Sequence, residues 1–143
     1  MPKKFVRVVF WFLLLEFVIT LFYSAGSSAQ GVYEAWVARY NGPGNSGDLA
    51  YALAVDGSGN VYVTGYSWGS GTSIDYATIK YSPSGDTLWV RRYNGPGNNL
   101  DGASALAVDD SGNVYVTGSS GGDYATIKYA PCSAKPGDAN GDG

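Results

Sequence analysis

The sequence of 143 residues contains no histidine and only one cysteine, Cys132. Without histidine the commonest general base is missing, so a carboxylate or a lysine would have to activate any hydrolytic nucleophile. A single cysteine excludes an intrachain disulfide. Cys132 is left to pair with a cysteine of a longer chain, to bridge to another chain, or to stay free. Basic clusters with interleaved aromatics are missing too. Residues 30–143 carry six basic and eleven acidic side chains, a formal charge of −5, and nucleic acid is therefore not an expected partner. What the chain does have is 21 glycines and 12 tyrosines, with abundant valine and threonine. That mixture predicts short strands joined by tight turns.

There is one long apolar run, Val8 to Tyr23, interrupted by Glu16. Lys3, Lys4 and Arg7 precede it, and the small residues Ser24 to Ala29 follow it. Basic start, apolar middle and small-residue end form the pattern of a secretory signal peptide. Ser27 and Ala29 suit the −3 and −1 positions of a cleavage site, which predicts a mature start at Gln30, with Ala25 as a second candidate. The other reading is an uncleaved membrane anchor. The run falls short of the ~20 residues a spanning helix needs and contains a carboxylate, so membrane association is expected only through an uncleaved signal segment. The expected location is secreted, extracellular or on the cell surface.

The rest of the chain repeats itself. Trp36–Tyr66 and Trp89–Ser119 match at 24 of 31 positions at an offset of 53. The string DYATIKY at Asp75–Tyr81 then returns at Asp123–Tyr129, at an offset of 48. The second copy is five residues shorter in the Gly/Ser-rich stretch around Trp68–Ser73, a change that a surface loop tolerates. Each copy reads as four strands: Trp36–Tyr40, Ala52–Val55, Val61–Thr64 and Tyr76–Tyr81 in the first, and Trp89–Tyr93, Ala105–Val108, Val114–Thr117 and Tyr124–Tyr129 in the second. Pro43 and Gly44 suit the centre of a type II turn. Asp56-Gly57-Ser58-Gly59-Asn60 reads as a hairpin loop closed by an Asx-turn at Asp56, with Asn60 left-handed. Gly65 and Gly118 read as strand ends.

Neither face of these strands is strongly polar, whereas a sheet half exposed to water shows a clean alternation. Such sheets want neighbours on both sides, as radially stacked propeller blades provide, and a four-stranded period of ~50 residues lies near the propeller periods. The predicted fold is all-β: two tandem four-stranded antiparallel β-propeller-type blades, an incomplete propeller, behind a signal peptide. Val61, Val63, Ile79, Val114, Val116 and Ile127 are the expected core.

The pattern LAVDxSGNVYVTGYS…DYATIKYSPSGDTLWVRRYNG resembles the bacterial SBBP repeat, a β-propeller repeat of secreted and cell-surface proteins. The resemblance runs from Ala35 to Tyr129 and its VD-x-SGN-VYVTG core and IKY strand occur twice in order. It implies fold and compartment, and no catalytic activity. The chain is thus divided into a signal peptide (1–29), two repeats within 30–130 (about 35–88 and 89–130), a linker (131–136) and a C-terminal segment (137–143). In that last segment Asp138, Asn140, Asp142 and Gly143 match positions 1, 3, 5 and 6 of a D-x-[DN]-x-[DN]-G calcium loop. PGDANGDG is similar to the opening of a dockerin-type calcium repeat. The ligands at positions 7, 9 and 12 have no counterpart in the sequence, and three side chains are too few for Ca²⁺. No cofactor is expected, and Ca²⁺ only where a longer chain completes the loop.

Other candidates read as structure. Gly42-Pro43-Gly44-Asn45-Ser46-Gly47 spells G-x-G-x-x-G, but no βαβ unit surrounds it and the second copy has Leu100 at the third glycine. Asp56, Ser58 and Asn60, with Asp109, Ser111 and Asn113, offer alternating oxygens that a turn uses up. Asp75 and Asp123 occupy equivalent strand starts; paired-carboxylate catalysis needs two unlike environments, and repeat-equivalent residues predict equivalent, structural ones. Trp36 and Trp89 are expected between blades. Trp68, Tyr66 and Tyr51 lie near expected loops or strand ends, where exposed aromatics could stack on sugar rings, and Trp68, which has no counterpart in the second copy, is the one candidate ligand contact. The expected function is a secreted structural or interaction module without catalytic activity. The alternative is a carbohydrate- or cell-surface-binding, lectin-like propeller, and the third reading a carbohydrate-active enzyme using carboxylates. Two blades do not close a ring, so self-association or further blades in a longer chain are expected.

Overall fold

The computed structural model describes residues 30–132. The expected signal segment and the calcium-loop residues Asp138, Asn140 and Asp142 lie outside them. The chain divides into two units, Met1–Glu34 and Ala35–Gly143. The second unit holds seven strands among the described residues: β1 (Asp48–Val55), β2 (Val61–Trp68), β3 (Ile74–Tyr81), β4 (Thr87–Tyr93), β5 (Asp101–Val108), β6 (Val114–Ser120) and β7 (Asp123–Tyr129). The fold is all-β, as expected. The strands form two antiparallel meanders, a four-stranded sheet in the order β1-β2-β3-β4 and a three-stranded sheet in the order β5-β6-β7.

Tight turns drive the meander. In the β1–β2 hairpin the Asp56 carboxylate accepts from the Ser58 and Asn60 amides, each at 2.9 Å, and the Gly59 amide bonds the Asp56 carbonyl. This is the expected Asx-turn, with one correction. The left-handed residue is Gly59 (φ 80), not Asn60, because glycine takes that conformation without a Cβ penalty. The Gly42–Asn45 turn also differs from expectation. Gly44 does not enter the left-handed region that a type II turn requires at its third position; Asn45 does, at φ 47. In the second copy Gly97 (φ 85) does adopt it.

The strand assignments shift in phase. Trp36–Tyr40 is not a strand of either sheet. Its repeat equivalent, within β4, is not the start of a second blade but the outermost strand of the first, pairing with β3 through Tyr76↔Tyr93 to Lys80↔Trp89. A blade therefore begins at Asp48 and ends at Tyr93, and the second sheet holds three strands among the described residues. Gly65 and Gly118 do not end strands either. β2 continues through Gly65 to Trp68 and β6 through Gly118 to Ser120, each facing a β-bulge, at Ala50/Ala52 and Ala103/Ala105.

Each sheet has two faces of different chemistry. Opposed residues in the ladder place Ala54, Tyr62, Thr64, Tyr76, Thr78, Lys80 and Trp89 together on one face of the first sheet; this is the tyrosine–threonine face. Leu53, Val61, Val63, Ala77, Ile79 and Val90 share the other, aliphatic face. The second sheet packs its aliphatic face, with Ala103, Val114 and Val116, onto the tyrosine–threonine face of the first, around Tyr62 and Tyr76. Trp89 is wedged between the sheets against Tyr62 and Tyr129, ring centroids 6.0 Å away in both cases, as expected for an inter-blade tryptophan. Of the expected core, Ile79, Val114 and Val116 are buried, whereas Val61, Val63 and Ile127 are only half-buried. The aliphatic face of the first sheet has no second sheet upon it among the described residues.

Candidate functional site

Three features outside the inter-sheet core concentrate chemistry. The first is a polar knot at one end of the first sheet. Arg92 on β4 projects to the aliphatic side and donates to Asp75 at 2.9 Å, to the Ser67 hydroxyl at 2.5 Å, to the Ser67 carbonyl at 2.9 Å and to the Tyr40 hydroxyl at 3.1 Å. These partners hold its guanidinium charged against the desolvation that works the other way. Asp48 lies beside the knot, accepting from the Gly42 amide at 2.9 Å. A Cβ on Gly42 would strike the Ser67 hydroxyl and reach within 2.8 Å of the Asp48 carboxylate, so only glycine allows this close approach.

The second sheet reproduces the knot except for its cation. Asp101 is fully buried and accepts from the Gly95 amide at 2.7 Å. Ser120 is buried, and Asp123 occupies the place of Asp75. No arginine reaches them among the described residues, and one Asp101 oxygen is buried without a hydrogen-bond partner. The equivalence expected of Asp75 and Asp123 therefore fails at the level of environment. Asp75 is buried and ion-paired, Asp123 exposed. The cause is that, among the described residues, β7 has no outer strand to carry an arginine.

The second feature is an apolar trough of about 260 Å³ on the aliphatic face of the first sheet, lined by Leu53, Val61, Val63, Ile79 and Tyr81 and walled by Trp36, Ala38 and Tyr40. Trp36 rests on Tyr81, ring centroids 6.1 Å apart. This repeats the Trp89–Tyr129 contact across the two sheets.

The third is the end of β2 with the non-repeated loop that follows it. Trp68 is 42% exposed, its indole 3.8 Å from where a Cβ on Gly47 would lie, while its carbonyl accepts from the Gly44 amide at 3.0 Å. The backbone is thus fixed and the ring open on one side. Tyr51 and Tyr66 pair with each other, ring centroids 5.7 Å apart, and Tyr51 is exposed.

The turn carboxylates are fully employed. Asp56 also accepts from the Asn60 side chain at 2.8 Å and from the Tyr62 hydroxyl at 3.0 Å, and it is lowered from 3.8 to about 2, above all by the Asn60 side-chain hydrogen bond. Asp109 makes the same bonds with Ser111, Asn113 and Tyr115 and is lowered for the same reason. Among the described residues no three His, Cys, Asp or Glu side chains converge to hold a metal ion. Sequence reasoning missed Arg92. The available signal was an arginine, Arg39 or Arg92, kept at one strand position in both copies, opposite an aspartate kept in both DYATIKY strings.

A comparison with curated proteins gives no significant match. The family model described as the SBBP β-propeller repeat matches residues 35–71 and 88–125, together more than half of the chain. Both matches carry the hairpin and the bulge glycine that recur in the two sheets. The chain belongs to the SBBP β-propeller repeat family.

Proposed function

We propose that this chain is a secreted, non-catalytic interaction module, an extracellular segment of β-propeller. One observation carries the reading: the turn carboxylates and the threonine pairs of the sheets occur twice and are engaged in holding the fold. The Asp56 turn recurs at Asp109. The Thr64–Thr78 hydroxyl pair, 2.9 Å apart, recurs as Thr117–Thr126 at 2.9 Å. A catalytic centre needs a base in reach of a nucleophile, oriented by a third group and distinct from its surroundings, and duplicated structural bonds supply none of these. Export is supported by the basic–apolar–small pattern of residues 3–29.

Trp68 favours one second reading, a carbohydrate- or cell-surface-binding module. Its half-open indole is a large exposed aromatic at the end of β2, beside the loop that differs between the copies, and aromatic side chains are enriched where proteins meet partners. A glycan array read beside a polysaccharide hydrolysis panel tests both. No retained glycan and no turnover fit the scaffold reading. Glycan retention abolished by Trp68→Ala assigns the lectin-like role. Turnover lost in Asp75→Asn or Asp123→Asn would overturn both in favour of a carboxylate enzyme.

A further inference from the structure

The interface between the two sheets is a template, because both of its surfaces are present a second time with no further sheet upon them among the described residues. Its first surface is the tyrosine–threonine face. In the first sheet Tyr76 is 0% exposed beneath the second sheet; its equivalent in the second sheet, Tyr124, is 86% exposed, and Thr126 and Tyr115 beside it are also exposed. Its second surface is the aliphatic face. In the second sheet Val116 is 0% exposed; in the first sheet the equivalent Val63 lies half-buried on the trough, and Leu53 is 62% exposed. The open face of one end of the molecule is thus, residue for residue, the partner of the open face at the other.

The edges agree with the faces. β3 is covered by β4, while β7, the same DYATIKY sequence, is an unpaired edge among the described residues. The segment with the β4 sequence pattern that is not used in either sheet is Trp36–Tyr40. It already rests on Tyr81 as Trp89 rests on Tyr129, in the position an outer strand takes beside a following blade. Its Arg39 corresponds to Arg92, is exposed, and has no ion-pair partner among the described residues. At β7 the residues around the Arg92 site recur without an arginine among the described residues: Asp123, Ser120 and the buried Asp101.

We propose that a second copy of this chain docks head to tail, its Trp36–Tyr40 segment adding to β7 as the fourth strand of the second sheet and its Arg39 pairing with Asp123. This inference rests on the propeller-module reading of the chain. The β3–β4 register transfers directly, setting Tyr124 opposite Tyr40 of the second copy, Thr126 opposite its Ala38 and Lys128 opposite its Trp36. Tyr124 then reaches the second copy's Ala77 carbonyl, as Tyr76 reaches that of Ala125 at 3.3 Å. Such a contact uses two different surfaces and is heterologous, so it closes into a ring when the rotation permits. With two sheets per copy, two to four copies supply the four to eight blades of a propeller.

Charge exchange tests it on the full mature chain, in a Cys132→Ser background, by sedimentation velocity at micromolar concentration. Wild type is expected as a discrete oligomer of two to four copies. Arg39→Asp sets two carboxylates against each other at every interface and Asp123→Arg two cations, so each variant alone should associate at least tenfold more weakly. An equimolar mixture of the two should associate more strongly than either variant alone, because every interface of an alternating ring of two or four copies, and two of the three interfaces in a ring of three, then hold one cation and one carboxylate. Both residues are exposed, and far-ultraviolet circular dichroism checks that each variant is folded. A second measurement needs no disruption: chains bearing Ala38→Cys and chains bearing Thr126→Cys should form a disulfide with each other and far less with themselves. A folded wild-type monomer, unaltered assembly of the single variants, no recovery on mixing, or self-crosslinking equal to cross-pairing would each overturn the proposal. A monomer that still binds a glycan or another partner would leave the interaction-module reading standing, which separates the two.

Discussion

Arg92 and Asp75 join the last strand of the first sheet to the strand before it, with a 2.9 Å hydrogen bond between guanidinium and carboxylate. The two residues come from different copies of the sequence repeat, so this pair ties one repeat to the next. The Asp75 side chain is 6% exposed and that of Arg92 21%. Removing one partner of a fully buried pair costs about 3–5 kcal/mol because the other charge is stranded. Here Arg92 keeps Ser67 and Tyr40 and some solvent. Asp75→Asn is therefore expected to destabilise by roughly 2 kcal/mol, below the fully buried range. Urea unfolding of the variant checks it, and a loss below about 0.5 kcal/mol, the scale of an ordinary surface change, would mean that the pair does not hold β4.

Two glycines mark the bulges. A Cβ on Gly65 would collide with the Leu49 carbonyl oxygen and lie 3.0 Å from the Ala50 Cα; one on Gly118 would collide with the Gly102 carbonyl oxygen and lie 2.7 Å from the Ala103 Cα. These neighbours are backbone and cannot swing away. Gly65→Ala and Gly118→Ala should each cost about 3 kcal/mol, the upper end of the range for overpacked cores. Gly57→Ala is the control. Nothing lies within 4 Å of a Cβ there, and the second copy has Asp110 at that place, so the expected change is within about 0.5 kcal/mol. Thermal melts of the three variants decide it.

The meaning of those glycines was not legible in the sequence, where Gly65 reads as a strand end. Glycine is poor in strands, and only the close approach of the bulged partner strand reveals why it stays in one. The phase of the repeat was hidden for a different reason. Self-similarity is unchanged by a cyclic shift, so Trp36 serves as well as Asp48 for a starting point until the β3–β4 pairing is seen. What was legible follows from local rules: the duplication, the Asx hairpins, the alternation of Val61 and Val63 against Tyr62 and Thr64, and Trp89 between blades. Arg92 was missed although an arginine recurs at its place in both copies, because a basic residue in a strand does not by itself point to its partner. The Asp75 carboxylate is 17 residues away along the chain.

Burial predicts a gradient across one face of the first sheet. Ile79 is 5% exposed within the cluster formed with Ala77 and Tyr81, while Leu53 at the margin of the same face is 62% exposed. Ile79→Ala should cost about 2–4 kcal/mol, as buried large-to-small changes do. Leu53→Ala should cost under about 0.5 kcal/mol in the dissociated chain. Denaturant titrations at two protein concentrations separate the terms: a Leu53→Ala effect that grows with concentration reports docking on the trough, one that does not reports folding alone.

The hairpin carboxylate Asp56 links the fold to acid. Its folded value of about 2 lies below the ordinary 3.8, with the Asn60 side chain the largest cause and the Asn60 amide, Tyr62 hydroxyl and Ser58 amide adding to it. A carboxyl group that holds its proton less tightly when folded stabilises the fold above its unfolded value. It loses that contribution as pH falls through its folded value. The window is therefore about pH 4 down to pH 2, and Asp56 contributes fully at neutral pH. Asn60→Ala removes the largest cause and should raise the Asp56 midpoint toward 3.8, narrowing the window from below. Carboxyl-carbon NMR titration of Asp56 in both chains reads this directly, and Asp109, held by Asn113 in the same way, serves as an internal reference that Asn60→Ala leaves in place. A wild-type Asp56 midpoint at 3.8, unmoved by Asn60→Ala, would show that the turn bonds open in solution and do not anchor the hairpin.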